Sequence, residues 1–318
     1  MARARDFEFE VFRLNVVDQD ITEYMGATVR SNDQITSVLR AMTKPDYDVD
    51  FETKKGVYLW SVREFQSFPG IAPNNTDRII QLVLSRSVLE QAGQTVTDSG
   101  IEDAVTQLAP PPANSMLILV YLDRHIVAVE HNAQLLSSAR WRRAFETVSR
   151  RAAQAMDFRS QLALEPIPEQ KKLLEIFRSF PKLIRLRLKV RLPNPELSRH
   201  TKRLYDDLCQ GGIREYTQDM RNSSGLNTED GALPHASVAL AEAGYKDGPV
   251  TFVGVKGGQK ERVVTGKQAA RGNLDGLRDY MRGLKDNARA KETRMVLDSL
   301  MKEIDRIAPR EDHLGPTQ

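Results

Sequence analysis

The residue types nearest to a catalytic set lie between Asp46 and Lys54. Asp46, Glu52 and Lys54 provide two carboxylates that can hold a divalent metal and a lysine that can position an attacking water. The two carboxylates are closer in sequence than in a hairpin-spanning nuclease site, and Asp48 and Asp50 between them also fit an exposed acidic turn. A metal-dependent nuclease is therefore kept as an alternative, and no catalytic residue is assigned.

Other reaction chemistry is weakly represented. The five histidines include no pair at a metal-ligand spacing such as H-x-x-x-H, and Cys209 is the only cysteine, which excludes an internal disulfide and a multi-thiolate metal site. The sequence contains no G-x-x-x-x-G-K-[ST] phosphate loop. We predict no metal site and no cofactor, and a binding surface rather than an enzyme.

A strongly alternating segment, Lys182 to Arg191, predicts that surface. Side chains of a strand point to opposite faces with a period of two, so one face is apolar and the other is a row of cations about 7 Å apart. Like charges in a row repel, and a polyanion lying along them explains their retention better than an ordinary solvated face does. The apolar side is Ile184, Leu186, Leu188 and Val190, and the basic side is Arg185, Arg187, Lys189 and Arg191.

Two helical segments flank this strand and add cations. A helix from about 138 to 156 places four arginines beside its apolar face, and a second helix after the strand carries three further cations. If helices cover the apolar face of the sheet, all these groups can ring one groove. The helical candidates are Arg140, Arg143, Arg150 and Arg151, followed by Arg199, Lys202 and Arg203.

The predicted ligand of this groove is a nucleic acid bound without sequence preference through its phosphates. No aromatic residue alternates with the cations, which favours duplex DNA over RNA or splayed bases. A different class of ligand stays open, namely an acidic protein partner that docks on the basic face. A second copy of the chain is one such partner.

Charge is distributed unevenly along the 318 residues, whose total is +3. Residues 1–115 hold 11 Lys and Arg against 17 Asp and Glu, whereas residues 137–203 hold 17 against 6. With Pro110-Pro-Pro as a stiff linker, this predicts an acidic α+β domain at 1–112 and a basic α/β domain at 113–272. The remainder, 273–318, is predicted as a C-terminal helix and tail.

The predicted fold class is α+β: a mostly antiparallel N-terminal β domain, a mixed sheet with helices, and a long C-terminal helix. Periodicity predicts a capped helix at 31–42 and a last helix at 274–307. The apolar seam of that last helix either docks within the chain or forms a homodimer, for which contacts between acidic and basic domains are another route. Strands are predicted at 7–17, 56–63, 78–86, 116–122, 126–130, 160–167, 213–220, 250–255 and 261–265.

The sequence shows no apolar run of membrane-spanning length and begins with charged residues in place of a secretory signal. We therefore expect a cytoplasmic protein with no membrane partner.

Two strings, one beginning Arg191-Leu-Pro-Asn-Pro-Glu and one beginning Gly212-Ile-Arg-Glu-Tyr, resemble those of an uncharacterised bacterial protein family. The overall plan, an N-terminal α+β part followed by a basic α/β part, is similar in architecture to bacterial phage-defence proteins of the Kiwa B-subunit kind. That resemblance implies non-specific DNA binding and self-association. It supplies no motif from which a site residue can be transferred.

Overall fold

The computed structural model has an α+β fold, as predicted from the sequence. It describes residues 8–18, 31–68, 78–107, 109–136, 138–158, 160–169, 172–191, 215–274 and 290–309, together with residues 207, 210, 211, 213 and 277. Two sheets form the framework, and all their strand pairs are antiparallel within these residues, including the sheet expected to be mixed.

Sheet A is the larger sheet and has nine strands in the order β13-β1-β7-β6-β4-β3-β2, with β5 added to β4 and β8 added to β1. Strands on both sides of residue 112, the predicted domain boundary, pair with β4. Strand pairing therefore continues across that position. The strands are β1 (Glu8–Asp18), β2 (Val49–Thr53), β3 (Gly56–Phe68), β4 (Ile79–Thr97), β5 (Gly100–Gln107), β6 (Ala113–Tyr121), β7 (Ile126–Glu130), β8 (Ser160–Pro166) and β13 (Arg271–Asn273).

Helices cover both faces of sheet A. One face packs on α1 (Asn32–Ala41) and α3 (Arg140–Gln154), and a short helix, α2 (Ala133–Leu136), precedes α3. The other face packs on the C-terminal helix α6 (Ala290–Ile307). Within the chain, α6 buries four of the apolar residues that the sequence offered as a dimer seam, Leu297, Leu300, Ile304 and Ile307, together with Met301. Met295, a fifth residue of that seam, is 63% exposed. Residues 278–289 of the predicted long helix lie outside the described residues.

Local sequence signals explain why these helices begin where they do. Ser31 caps α1 through a capping box, in which its hydroxyl accepts from the Gln34 N–H and the Gln34 side chain accepts from the Ser31 N–H. In α3, Trp141, Phe145 and Val148 recur at helical spacing and are buried against the sheet. None of the helices within the described residues has the length and apolar character needed to cross a membrane.

Sheet B has four strands in the order β10-β9-β11-β12. Two helices, α4 (Lys172–Arg178) and α5 (Leu233–Glu242), cover one of its faces and enclose a separate apolar core. No helix of the described residues covers the other face. The strands are β9 (Lys182–Arg191), β10 (Glu215–Arg221), β11 (Val250–Lys256) and β12 (Gln259–Thr265).

Arg13 of β1 joins the two sheets. Its buried guanidinium donates to Ala243 O at 2.8 Å and to Arg124 O at 2.7 Å, and it stacks over the Tyr245 ring at 4.5 Å. A Cβ on Gly244 would lie 2.6 Å from the Arg13 Cβ, so only glycine allows the segment after α5 to approach β1 this closely.

Candidate nucleic-acid interface

Strand β9 has the two faces that its alternation predicts. Leu186, Leu188 and Val190 are buried in the core of sheet B, and the four cations from Arg185 to Arg191 point to the other face. The start of the strand differs from the prediction, because a register shift opposite Val253 and Gly254 interrupts the alternation. Leu183 is buried there, and Ile184 lies on the same side as the cations.

The inner end of the cation row is neutralised within the chain. Lys189 Nζ lies 2.6 Å from Glu215 Oε2 and 2.8 Å from Asp247 Oδ2. Arg191, whose side chain is 12% exposed, lies 3.2 Å from Glu215 and 3.4 Å from Asp247. These two cations therefore contribute little free charge to the surface.

A charge cluster between the sheets surrounds the same end of β9. Glu165 at the end of β8 lies 3.5 Å from Lys246 Nζ and 3.8 Å from the guanidiniums of Arg142 and Arg191. Burial raises the pKa of the adjacent Glu146 carboxyl and lowers the pKa of the Lys246 ammonium, whose residue is 1% exposed. Glu165 of sheet A pairs with Arg191 of sheet B and with Lys246 beside it, so these buried charges link the two sheets.

The outer end of the row is different. Asp219 of β10 accepts two hydrogen bonds from Arg185, both at 2.7 Å, and two from Arg221, at 3.2 and 2.6 Å. These hydrogen bonds, first from Arg185 and then from Arg221, hold the pKa of Asp219 well below its usual range. Arg187 is exposed, and no carboxylate of the described residues forms an ion pair with it. Asp219 is thus shared by Arg185 and Arg221, and Arg187 beside them has no ion-pair partner among the described residues.

These arginines line a concave surface of about 680 Å³ on the open face of sheet B. Arg221 lies opposite Arg185, Arg185 lies opposite Val253, and Val253 lies opposite Arg262 in the strand register. Strands are about 4.8 Å apart, so three arginines form one line about 15 Å long across the sheet. We call this surface the basic concavity and define it by its five cations, Arg185, Arg187, Arg221, Lys260 and Arg262.

The net charge of the basic concavity is +4, from five cations and Asp219. Glu261 also borders it, but it alternates with Lys260 and Arg262 along β12, which places its side chain on the opposite face. The apolar and neutral residues that line it are Ile184, Thr251, Val253, Asn222 and Ser223. None of the described residues that line it is aromatic, so they offer bases no stacking platform there.

Three of the five cations were not among the binding residues predicted from the sequence. Arg221, Lys260 and Arg262 lie on β10 and β12, far from β9 along the chain, and only the strand order brings them beside Arg185 and Arg187. The alternation of Lys260 and Arg262 along β12 was the available signal.

The helical candidates lie elsewhere. Arg140, Arg143 and Arg150 are exposed on α3, which packs on sheet A, and Arg151 donates to the carbonyl oxygen of Asp48. None of these four arginines lines the basic concavity. The other helical candidates, Arg199, Lys202 and Arg203, are outside the described residues, and their part in the groove stays a prediction.

The residues of the nuclease alternative lie at the far edge of sheet A. Asp46 is exposed on a single 3₁₀ turn, Glu52 is exposed on β2, and Lys54 is in the turn that follows. The intervening Asp48 is bound by Arg63 and Ser61 at 2.5 to 2.9 Å. In the described ranges no three Asp, Glu, His or Cys side chains form a group able to hold a metal ion. The nuclease alternative therefore gains no support from the geometry, and cleavage tests on an Asp46→Ala variant stay its experimental check.

A comparison with protein families identifies the family of the chain. Residues 101–269, slightly more than half of it, match a domain of unknown function, DUF4747. The chain belongs to the DUF4747 family. The matched stretch contains all four strands of sheet B and therefore the whole basic concavity. No curated protein matches the chain. The family assignment agrees with the uncharacterised family expected from the sequence and adds no activity.

Proposed function

We propose that this DUF4747 protein binds the phosphate backbone of nucleic acid, duplex DNA in preference to RNA, on the open face of sheet B. The observation that carries the proposal is the basic concavity, where five cations outnumber the described carboxylates: Asp219 binds Arg185 and Arg221, and the bordering Glu261 points to the opposite face. Duplex DNA carries one charge per about 1.7 Å of axis, so a line of arginines about 15 Å long spans several phosphates.

The chemistry of the concavity favours backbone contacts over base reading. Four of its five cations are arginines, whose planar guanidinium matches phosphate in a bidentate fashion. Because the described lining residues include no aromatic one, single-stranded bases would gain no stacking on them. Binding should therefore depend strongly on salt and weakly on sequence.

The test is duplex DNA binding at two salt concentrations. With four net charges neutralised, the logarithm of the affinity should fall with a slope of about −3.6 against the logarithm of salt concentration. That slope predicts a loss of about 150-fold in affinity between about 50 and 200 mM salt. Changing Arg185, Arg187 and Arg262 to Glu should abolish binding.

The matched control changes Lys44, Lys55 and Lys302 to Glu, three exposed lysines away from sheet B, with the same change in net charge. This control should keep most of the affinity. If both variants lose binding equally, net charge rather than the basic concavity is responsible. If the wild type fails to bind duplex DNA at low salt, the proposal is wrong and the face serves a protein partner.

The cellular setting that we propose is phage defence in the bacterial cytoplasm, and its support is the resemblance in architecture alone. Protection of cells against phage by the wild type, and its loss in the Arg185, Arg187 and Arg262 to Glu variant, would support this setting. Equal phage plating with and without the gene would refute it.

A further inference from the structure

A two-stranded β-arm projects from sheet A. Strand β3 pairs with β4 only as far as Gln91, and β6 pairs with β4 only as far as Ser87. Beyond that point β4 pairs with β5 alone. We call residues 92–105 the arm. Its six-residue strands are about 20 Å long, and the turn at Asp98 and Ser99 closes its tip.

One face of the arm carries an exposed apolar stripe. Val96 lies opposite Ile101, and Ala92 lies opposite Val105, so their side chains share a face. Val96 is 82% exposed, Ile101 67% and Val105 66%. An isolated two-stranded ribbon is marginally stable in water, and clustered exposed apolar residues mark interaction sites. We therefore expect a partner surface to cover the stripe.

The charges of the arm specify what kind of partner fits. The arm contains three acidic residues, Asp98, Glu102 and Asp103, and no lysine or arginine. Asp103 lies between Ile101 and Val105 along β5 and therefore on the same face as the stripe. Two arms packed stripe to stripe would bring like charges together, which is unfavourable. The fitting surface is one that combines apolar side chains with cations.

The open face of sheet B has this combination. Ile184 and Val253 line the basic concavity beside its cations, and Val264, which is 48% exposed, follows Arg262 on the same face of β12. We propose that the arm of one copy docks on the basic concavity of a second copy, with the stripe against these apolar residues and Asp103 against the arginines. Two such contacts related by a twofold axis close a dimer.

The C-terminal helix does not compete for this role. Five of its apolar residues, from Leu297 to Ile307, are already buried against sheet A and Met295 alone of the described ones is largely exposed, whereas three neighbouring residues of the stripe are open. The arm also accounts for the expected pairing of acidic and basic parts between copies. Because the arm and nucleic acid would occupy the same cations, the two should exclude each other.

The first experiment is sedimentation velocity at low salt over a wide range of protein concentration. The wild type should form a dimer whose population rises with concentration. Changing Val96, Ile101 and Val105 to Thr keeps strand-forming residues in the arm and should leave a monomer with an unchanged far-UV circular dichroism spectrum. The control variant Thr95→Ser with Ala104→Ser alters the opposite face of the arm and should dimerise like the wild type.

A charge exchange tests the partner surface. Asp103→Arg alone and Arg262→Asp alone should each weaken the dimer, and the two together should restore it. A monomeric wild type at every concentration, or a stripe variant that still dimerises, would overturn the inference. Failure of the combined variant to recover would overturn the basic concavity as the docking surface.

This inference and the proposed function can fail separately, because the dimer test contains no nucleic acid. A dimer that forms through the arm in a protein that binds no DNA would refute the proposed function and leave the inference standing. DNA binding by a protein that is always monomeric would do the reverse. When both hold, added duplex DNA should dissociate the dimer.

Discussion

Two cations of β9, two residues apart, should differ sharply in their contribution to DNA binding. Arg187 is exposed in the basic concavity without an ion-pair partner among the described residues, whereas the ammonium of Lys189 lies within 2.8 Å of both Glu215 and Asp247. A phosphate that contacts Arg187 releases counterions at no cost to the fold. A phosphate that contacts Lys189 must first displace two carboxylates. We therefore compare Arg187→Ala with Lys189→Ala.

The magnitudes follow from the charge count. Loss of one phosphate contact changes the salt slope by about 0.9, so Arg187→Ala should have a slope of about −2.7 in place of −3.6. Its loss of affinity between about 50 and 200 mM salt should shrink from about 150-fold to about 40-fold. Lys189→Ala should keep the wild-type slope. It should instead lower the free energy of unfolding by about 1 kcal/mol, since two partly buried carboxylates lose Lys189 and keep only Arg191 among their cationic partners in the described residues.

The assay is fluorescence anisotropy of a labelled duplex, titrated at four or more salt concentrations for each variant, with chemical denaturation measured in parallel. An equal change of slope in both variants would refute the reasoning, because it would show that the ion pairs of Lys189 do not withhold it from phosphate. An unchanged slope in Arg187→Ala would place the DNA on another surface, for which the arginines of α3 are the first candidates.

Three further outcomes are expected. Asp219→Asn removes the carboxylate that Arg185 and Arg221 share. Anisotropy titrations should therefore show tighter DNA binding and a salt slope of about −4.5. Weaker binding would mean that Asp219 mainly orients the arginines. Burial raises the pKa of Glu242 from 4.5 to about 7, so the folded state retains a proton that the unfolded state loses. The free energy of unfolding should therefore fall as pH rises from about 4.5 to about 7, by about 2 kcal/mol after allowance for partial exposure, and Glu242→Gln should remove this fall in denaturation curves. Val264→Thr should weaken the dimer in sedimentation and leave DNA binding unchanged, because phosphate gains nothing from an apolar contact. Loss of both dimerisation and DNA binding in this variant would contradict the view that Val264 contributes to the dimer alone.

The sequence predicted the elements whose side chains alternate or recur on one buried face. Strand β9 and helix α3 are examples, and so is the start of α1, for which Ser31 or Asn32 was the predicted cap and Ser31 is the observed one. Strands β2 and β5 were not predicted. β2 carries Asp50 and Glu52 on its exposed face and was interpreted as an acidic loop, although Val49 is buried. β5 is exposed on both faces and pairs with β4 alone, so it lacks the buried apolar face on which such predictions depend.

The basic site was only half predictable for a related reason. Alternation along β9 places cations on one face, but their neighbours on β10, β11 and β12 are set by strand order and register, which are long-range properties. The sequence therefore did not show that Asp219 and Glu215 pair with the cations of β9. Nor did it show that Arg221 and Arg262 lie beside those cations in the concavity. The bulge opposite Gly254 moved Ile184 to the charged face for the same reason.

Net charge along a segment is a poor measure of free charge on a surface. Residues 137–203 hold 17 cations against 6 carboxylates, yet Lys189 and Arg191 are neutralised by Glu215 and Asp247, which lie outside that window. Cations from outside the window, Arg221, Lys260 and Arg262, replace them on the open face. Folding thus shifts the available charge from the whole length of β9 to one end of it, beside Ile184 and Val253. A polyanion and an acidic arm with an apolar stripe both have charge complementary to that end, so the two proposed ligands should exclude each other there.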